Sequence, residues 1–427
     1  MFIGALVLLM VGFPVAFAFG SAALFVAIIT PDVGVDIFRL MPYRIYGIMQ
    51  NFTLMAIPLF IFMGLILERS KIAEALLVNV GKLFGNIRGG LAISVVLVGT
   101  VLSASTGIVG ASVVMMGVIS LPIMVHYGYS KSLASGTIAA SGTLGQIIPP
   151  SIVLIILGDV MSVSVGDLFR AALGPALVLV TLYVLYILFI SYKNPLIAPA
   201  IKDENENRTE VVKKALIAII PPLALITLVL GSIFAGVATP TESAAFGAVG
   251  AIFLTILNRS FSFLKLKQSA LETLKLTSMI FMILIGATAF SLVFNAVGGG
   301  DLVLEFFEDD IADAWIFIAI AMIAIFILGF FIDFLEICFI IIPILLPIVE
   351  AFDIDPIWFA ILVAMNLQAS FLTPPFGFAL FYLKGAAGKL VSTTDIYKGV
   401  LPFIALQLFA LFIIIQFPSI VRVFLSD

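Results

Sequence analysis

Seven apolar runs dominate the chain, at 2–29, 52–67, 172–192, 215–235, 238–257, 277–297 and 400–421. Their lengths suit helices crossing about 30 Å of hydrocarbon at roughly 1.5 Å per residue. Lipid offers backbone N–H and C=O groups no partner, so a crossing segment folds as a helix, whose hydrogen bonds are internal. Only 11% of the 427 residues are charged, against roughly 25% in an average soluble domain. That shortage excludes a soluble enzyme, a nucleic-acid binder and a disordered scaffold, and predicts an all-α polytopic membrane protein. The first run lacks a basic leader and a small-residue cleavage site, which predicts a retained span.

Two further apolar regions, 89–158 and 314–383, are repeatedly interrupted by Gly, Ser, Thr and Pro. Each is expected to form a re-entrant hairpin followed by a broken helix. A hairpin enters and leaves on one side and adds no crossing. With the N-terminus inside, 17 of the 21 Lys and Arg residues then fall in inside segments, namely 68–88, 126–131, 193–214, 258–276 and 384–398. Only Arg39, Arg44, Arg170 and Arg422 fall outside. The positive-inside rule therefore fixes the orientation for this span count.

The interrupted regions match each other. Pro122, Pro149 and Pro150 are followed by Pro347, Pro374 and Pro375 at one constant offset of 225, and Pro14 precedes Pro240 by 226. Five crossings separate the Pro14 and Pro240 helices, an odd number, which predicts an inverted repeat. Secondary transporters are built from inverted repeats with discontinuous helices, and the paired interruptions mark their binding site. The physical reason is that backbone freed at mid-membrane must find a ligand, water or a protein group. Freed carbonyls at a half-helix C-terminus suit a cation, and freed amides at an N-terminus suit a carboxylate.

The first hairpin tip contributes Ser103, Ser105, Thr106 and Gly107, and the first break Ser141, Thr143, Gly145 and Gln146. The second tip carries Gly329, Asp333 and Glu336, and the second break Asn366, Gln368, Ser370 and Thr373. These are hard oxygen donors, the chemistry of an alkali cation such as Na⁺. One His and one Cys cannot form a zinc site, a disulfide or a Cys/His dyad of the usual kind. Without an HExxH motif, a second His or paired intramembrane Asp motifs, an intramembrane enzyme is disfavoured. Paired tips closing on a central site also suit alternating access better than an open channel.

Three stretches, Gly142–Ser151, ATPTESAA at 238–245 and the SASTG tip, resemble the large membrane subunit of tripartite ATP-independent periplasmic (TRAP) transporters. The likeness spans essentially the whole chain. It implies a Na⁺-coupled importer of a small organic acid in the bacterial inner membrane, working by an elevator motion. It also implies a small four-helix membrane subunit and a soluble periplasmic substrate-binding protein as partners. Carried over by position, one Na⁺ would sit near Ser103, Gly142 and Gly145, and another near Gly329, Asp333, Gln368 and Thr373. Substrate would lie between the tips, near Ser105, Thr106, Thr143, Gln146 and Asn366. A stand-alone Na⁺- or H⁺-coupled dicarboxylate or anion symporter is the alternative.

The expected division has a scaffold at 1–68, 172–297 (with a cytoplasmic loop at 193–214) and 399–427. Interfacial arms follow at 69–87 and 298–313, and a transport unit comprises 88–158 and 314–385. Plainer readings compete at several positions. Ser and Thr in membrane helices commonly bond back to their own helix. Glu242, just after Pro240, is expected to cap a helix in preference to contacting an ion or the substrate. Asp333 either caps a half-helix or helps hold a cation, and Glu336 is a buried structural acid or a proton carrier. His126 beside Tyr127 reads as an interfacial anchor, and Cys338 as a small buried residue.

Overall fold

The structure, a computed structural model, describes residues 1–107, 109–201, 208–311 and 313–425. It is helical almost throughout, with no strand among the described residues. The first apolar run is not one continuous helix. It divides into α1 (Phe2–Val11) and α2 (Val15–Ile29). Gly12 closes α1 in the left-handed region at φ 99°, and Pro14 brings no N–H to continue the ladder. Next, α3 (Met41–Met49) and α4 (Ala56–Glu68) belong to a pair bent by 61°.

The expected first arm is α5 (Lys71–Phe84), whose cap Ser70 accepts the Ile72 N–H. One stripe of α5 is buried, with Ile72, Ala73, Leu76, Leu77 and Val80 along it, while Glu74 is exposed. The run at 277–297 proves to be the far end of a longer helix, α13 (Phe263–Ala296). Hydropathy marks only its apolar part. No Gly or Pro interrupts the charged residues before it, so the helix extends back through Lys265, Glu272 and Lys275. The 298–313 stretch forms α14 (Gly299–Glu305) and a π turn over Phe306–Ile311.

The first interrupted region contains α6 (Gly90–Thr106), α7 (Val109–His126), α8 (Lys131–Thr143) and α9 (Ile152–Val160). Two single apolar helices follow before a third, α10 (Val165–Lys193), α11 (Arg208–Phe234) and α12 (Pro240–Leu257). In the second region, α15 (Ala314–Leu328) and α16 (Phe334–Ala351) precede α17 (Pro356–Leu372) and α18 (Phe378–Ala387). The last long helix is α19 (Thr393–Gln416). Helix starts keep the proline offset: Val109 and Phe334, like Lys131 and Pro356, lie 225 residues apart. Both Pro-Pro bonds, Pro149-Pro150 and Pro374-Pro375, are cis.

Burial arranges these helices from the centre outward. Every residue of α8 from Leu133 to Thr143 is buried, as is every residue of α17 from Trp358 to Leu372. A helix buried on all faces sits inside a bundle. On outer helices, large apolar side chains face outward instead, with Ile3 78% and Phe263 74% exposed. Such surface is unfavourable in water and suits acyl chains. The long helix α19 packs along α8, and α10 lies against α6, α17 and α19. Tyr183 and Tyr186 of α10 meet Phe403 of α19 edge-on, at 5.1 and 5.3 Å between centroids.

Candidate functional site

Small residues bring the first tip to the first break. At the end of α6, Gly107 adopts φ 61° and donates its N–H to the Ser103 carbonyl at 3.0 Å. A Cβ at Gly107 would lie 3.1 Å from Ile152 and 3.5 Å from the Pro150 oxygen, so the tip rests on the segment that opens α9. Ser103, fully buried, donates to the Ser141 carbonyl at 3.2 Å. Below it, α8 tightens into a 3₁₀ turn over Leu144–Gln146. A Cβ at Gly145 would lie 3.2 Å from both the Ser103 carbonyl oxygen and Cβ. Gly142 points elsewhere, onto Val113 of α7.

Past the turn the chain is held by Ser151, which donates to the Gln146 carbonyl at 2.6 Å and caps α9 by accepting the Leu154 N–H. The Gln146 side chain is 1% exposed, and neither its Nε2 nor its Oε1 has a hydrogen-bond partner. Leaving such a group dry and unpaired costs about 1–3 kcal/mol. Thr143 donates to the Ala140 carbonyl, as an isolated membrane Thr is expected to do. The side chains of Ser105 and Thr106 lie outside the described residues.

The second tip and break repeat this arrangement with different chemistry. A Cβ at Gly329 would fall 2.1 Å from Ser370 Oγ and 2.7 Å from its Cβ, so the end of α15 lies directly on α17. Asn366 spends its amide on the same contact, donating to the Met322 carbonyl of α15 at 2.6 Å. Thr373 ends α17 and donates back to the Ala369 carbonyl. Asp333 caps α16 by accepting the Phe334 N–H at 2.7 Å. Glu336, 1% exposed, keeps one oxygen without a partner. Aromatic rings surround this tip: Phe331 packs on Phe376, and Phe371 on Phe378.

The first break packs on the helix that carries the second. The 3₁₀ turn at Leu144–Gln146 and α9 both touch α17, and α9 also touches the π turn at Ile337–Ile341. Across the halves, Gly110 at the start of α7 abuts the Tyr382 ring of α18. Among the described residues no three His, Cys, Asp or Glu side chains gather as a metal site. A cation here would rest mainly on hydroxyl, amide and backbone oxygens, which suits a weakly held alkali ion.

Two residues of this centre were not singled out from sequence. Gln407 of α19 donates its Nε2 to the Thr143 hydroxyl at 3.3 Å, and its Oε1 is unpartnered. Tyr183 of α10, fully buried, turns its hydroxyl toward the side chains of Gln407 and Gln368 without completing a hydrogen bond to either. Their signal was available: each is a polar group within an apolar run, and they lie 224 residues apart, close to the repeat offset. Glu242 takes the capping role. It accepts the Thr239 N–H and hydroxyl, both at 2.8 Å, while Thr239 accepts the Glu242 N–H.

Comparison with known proteins fits this architecture. Residues 2–420 match the family described as tripartite ATP-independent periplasmic transporter, DctM component. The C4-dicarboxylate TRAP transporter large permease protein DctM of Pseudomonas aeruginosa is 30% identical over 403 residues, covering 94% of this chain and 91% of that one. The sialic acid TRAP transporter large permease protein SiaM of Vibrio cholerae is 28% identical, over 97% of this chain and 95% of its own length. The ectoine TRAP transporter large permease protein TeaC of Halomonas elongata is 28% identical, over 98% and 96%. In fold, the chain resembles the Alcanivorax borkumensis YdaH transporter, with a TM-score of 0.66 at 13% identity over 98% of this chain and 99% of that one.

Proposed function

The chain belongs to the DctM component family of tripartite ATP-independent periplasmic transporters, and on that premise we propose that it imports a small organic acid by Na⁺ symport. Membership implies a small membrane subunit and a periplasmic substrate-binding protein as partners. We place the protein in the bacterial inner membrane with its N-terminus in the cytoplasm, on the strength of its inside excess of basic residues. Relatives named for C4-dicarboxylate, sialic acid and ectoine transport favour a carboxylate as substrate.

The observation that carries this reading is the meeting of two interrupted helices at the bundle centre, with unpartnered Gln146 and Gln368 amides there. One Na⁺ would bind where Ser103 meets Gly145, with Gly142 alongside. A second would bind where Gly329 meets Ser370, with Asp333, Gln368 and Thr373 nearby. Each ion neutralises freed backbone and holds a tip against its break, which favours the ordered tip. Substrate carboxylate would then lie between the tips, with Ser105, Thr106 and Gln146 to orient it, and with Thr143 and Asn366 joining them only by leaving the Ala140 and Met322 carbonyls.

The loaded unit would slide as a rigid body between inward and outward positions, with α5 and the α14 segment as arms. Packing supports a wider moving unit than the sequence expectation of 88–158 and 314–385. The long helices α10 and α19 lie against α6, α8 and α17, while α4 with α12 and α2 with α13 form a second packed set that touches the first where α4 meets α6. In this reading α10 and α19 travel with the hairpins.

The test is uptake of organic acid by vesicles containing this chain, its membrane subunit and its binding protein. Uptake should collapse when choline replaces Na⁺, and undiminished uptake would overturn Na⁺ coupling. Uptake by this chain with no binding protein present would favour the stand-alone symporter instead.

A further inference from the structure

Thr143, Tyr183, Gln368 and Gln407 come from four helices, α8, α10, α17 and α19, and from both halves of the chain. All four are buried to 1% exposure or less. Their connections cross between the halves: Gln407, in the second, donates to Thr143 in the first, while Tyr183, in the first, faces Gln368 in the second. The cluster is under-satisfied. The Tyr183 hydroxyl, the Gln407 Oε1 and both polar atoms of the Gln368 amide lack hydrogen-bond partners. One hydroxyl therefore faces two amide groups and completes a bond to neither.

Each end of the cluster leads to one tip. Thr143 directly precedes the 3₁₀ turn whose Gly145 lies on the Ser103 carbonyl, at the first tip. Gln368 lies two residues before Ser370, on which Gly329 of the second tip rests. The four side chains thus lie, on α8, α19, α10 and α17, between the helix ends that form the two tips. A contiguous path alone does not show coupling; that requires an element with two arrangements which both sites bias. The Tyr183 hydroxyl, set between two amide side chains and bonded to neither, is the candidate for such an element.

We propose that Tyr183 and Gln407 are positioning residues that couple the two cation sites, so that an ion at one raises the affinity of the other. The proposal rests on the Na⁺ reading above. A cation at the second tip draws the Gln368 oxygen toward itself. The Tyr183 proton then goes to Gln407 Oε1, which fixes that amide with its Nε2 on Thr143. The first break is thereby held in the shape that binds the first ion. By thermodynamic reciprocity, an ion at the first site favours the second by the same factor.

The experiment is the Na⁺ dependence of initial uptake by the complete three-component transporter in vesicles. Wild type should be sigmoidal, with a Hill coefficient well above 1. Tyr183→Phe keeps the ring against Phe403 and removes only the hydroxyl. It should bring the Hill coefficient close to 1 and raise half-saturating Na⁺ several-fold. Gln407→Leu should do the same, and the double variant should add nothing further, because both act through one element. A Hill coefficient unchanged in both variants, or shifts that simply add, would overturn the coupling. Thermal unfolding of the solubilised complex in KCl separates folding defects, and its stabilisation by added NaCl gives a second reading of the curve. A wild-type protein indifferent to Na⁺ would instead remove the Na⁺ reading and this proposal with it.

Discussion

Gly136 of α8 and Gly399 of α19 meet backbone to backbone: a Cβ on Gly136 would lie 2.0 Å from the Gly399 carbonyl oxygen. The relation is mutual, since a Cβ on Gly399 would lie 2.0 Å from the Ser132 oxygen. Membrane helices gain no hydrophobic drive from leaving lipid, so close packing of small residues holds them together. Here it joins a broken helix to the helix that carries Gln407.

Gly136→Ala and Gly399→Ala should therefore separate α8 from α19. Overpacking costs about 1–3 kcal/mol, and the obstacle is backbone that cannot rotate away. Each variant should lower the thermal midpoint of the detergent-solubilised protein. As a contrast, Gly231→Ala should leave the midpoint within a degree or so, because nothing lies within 4 Å of that position. Equal midpoints for all three would contradict the packing.

The two tips should respond unequally to a methyl group. At Gly329 a Cβ would collide with Ser370 Oγ and Cβ at 2.1 and 2.7 Å, whereas at Gly145 the nearest atoms are 3.2 Å away. Gly329→Ala should raise half-saturating Na⁺ about tenfold or more, equivalent to roughly 1.4 kcal/mol. Gly145→Ala should raise it by no more than about threefold. The reverse order, measured as Na⁺-dependent uptake, would rule out the second tip as an ion site of this geometry.

Gln146→Leu separates a ligand from a structural residue. Replacing buried polar atoms that have no protein partner is neutral or stabilising for the fold. If Gln146 serves substrate, uptake should fall at least about tenfold while the thermal midpoint holds or rises. A variant with normal uptake would remove Gln146 from the site.

Glu242 should behave as a cap. Losing the Thr239–Glu242 box through Glu242→Ala should lower the thermal midpoint slightly. The Na⁺ dependence should keep its shape. A several-fold change in half-saturating Na⁺ would show that the carboxylate reaches an ion site.

Sequence alone was enough for the membrane, the helical class and the location of both interruptions. Hydropathy and proline act over a few neighbouring residues, so these features are written locally. The same locality misled at 2–29, where a run of apolar residues concealed the Gly12 and Pro14 break between α1 and α2. It also stopped short at α13, because hydropathy reports what lipid tolerates and not where backbone hydrogen bonds end.

Within the candidate site, the tips and breaks were legible because Gly, Pro, Ser and Thr cluster there against an apolar background. Which of those residues face one another was not. Ser103 meets Gly145 while Gly142 turns to α7, and Asn366 is committed to Met322. These outcomes depend on how helices rotate and cross. Tyr183 and Gln407 show the limit most clearly. Each is one polar residue on an apolar helix, and only packing brings them to Gln368 and Thr143. Local chemistry determined that the chain crosses a membrane and where its helices break. Tertiary structure decided which broken ends share a centre, because contacts between residues more than 200 positions apart are set by helix packing and leave no local pattern.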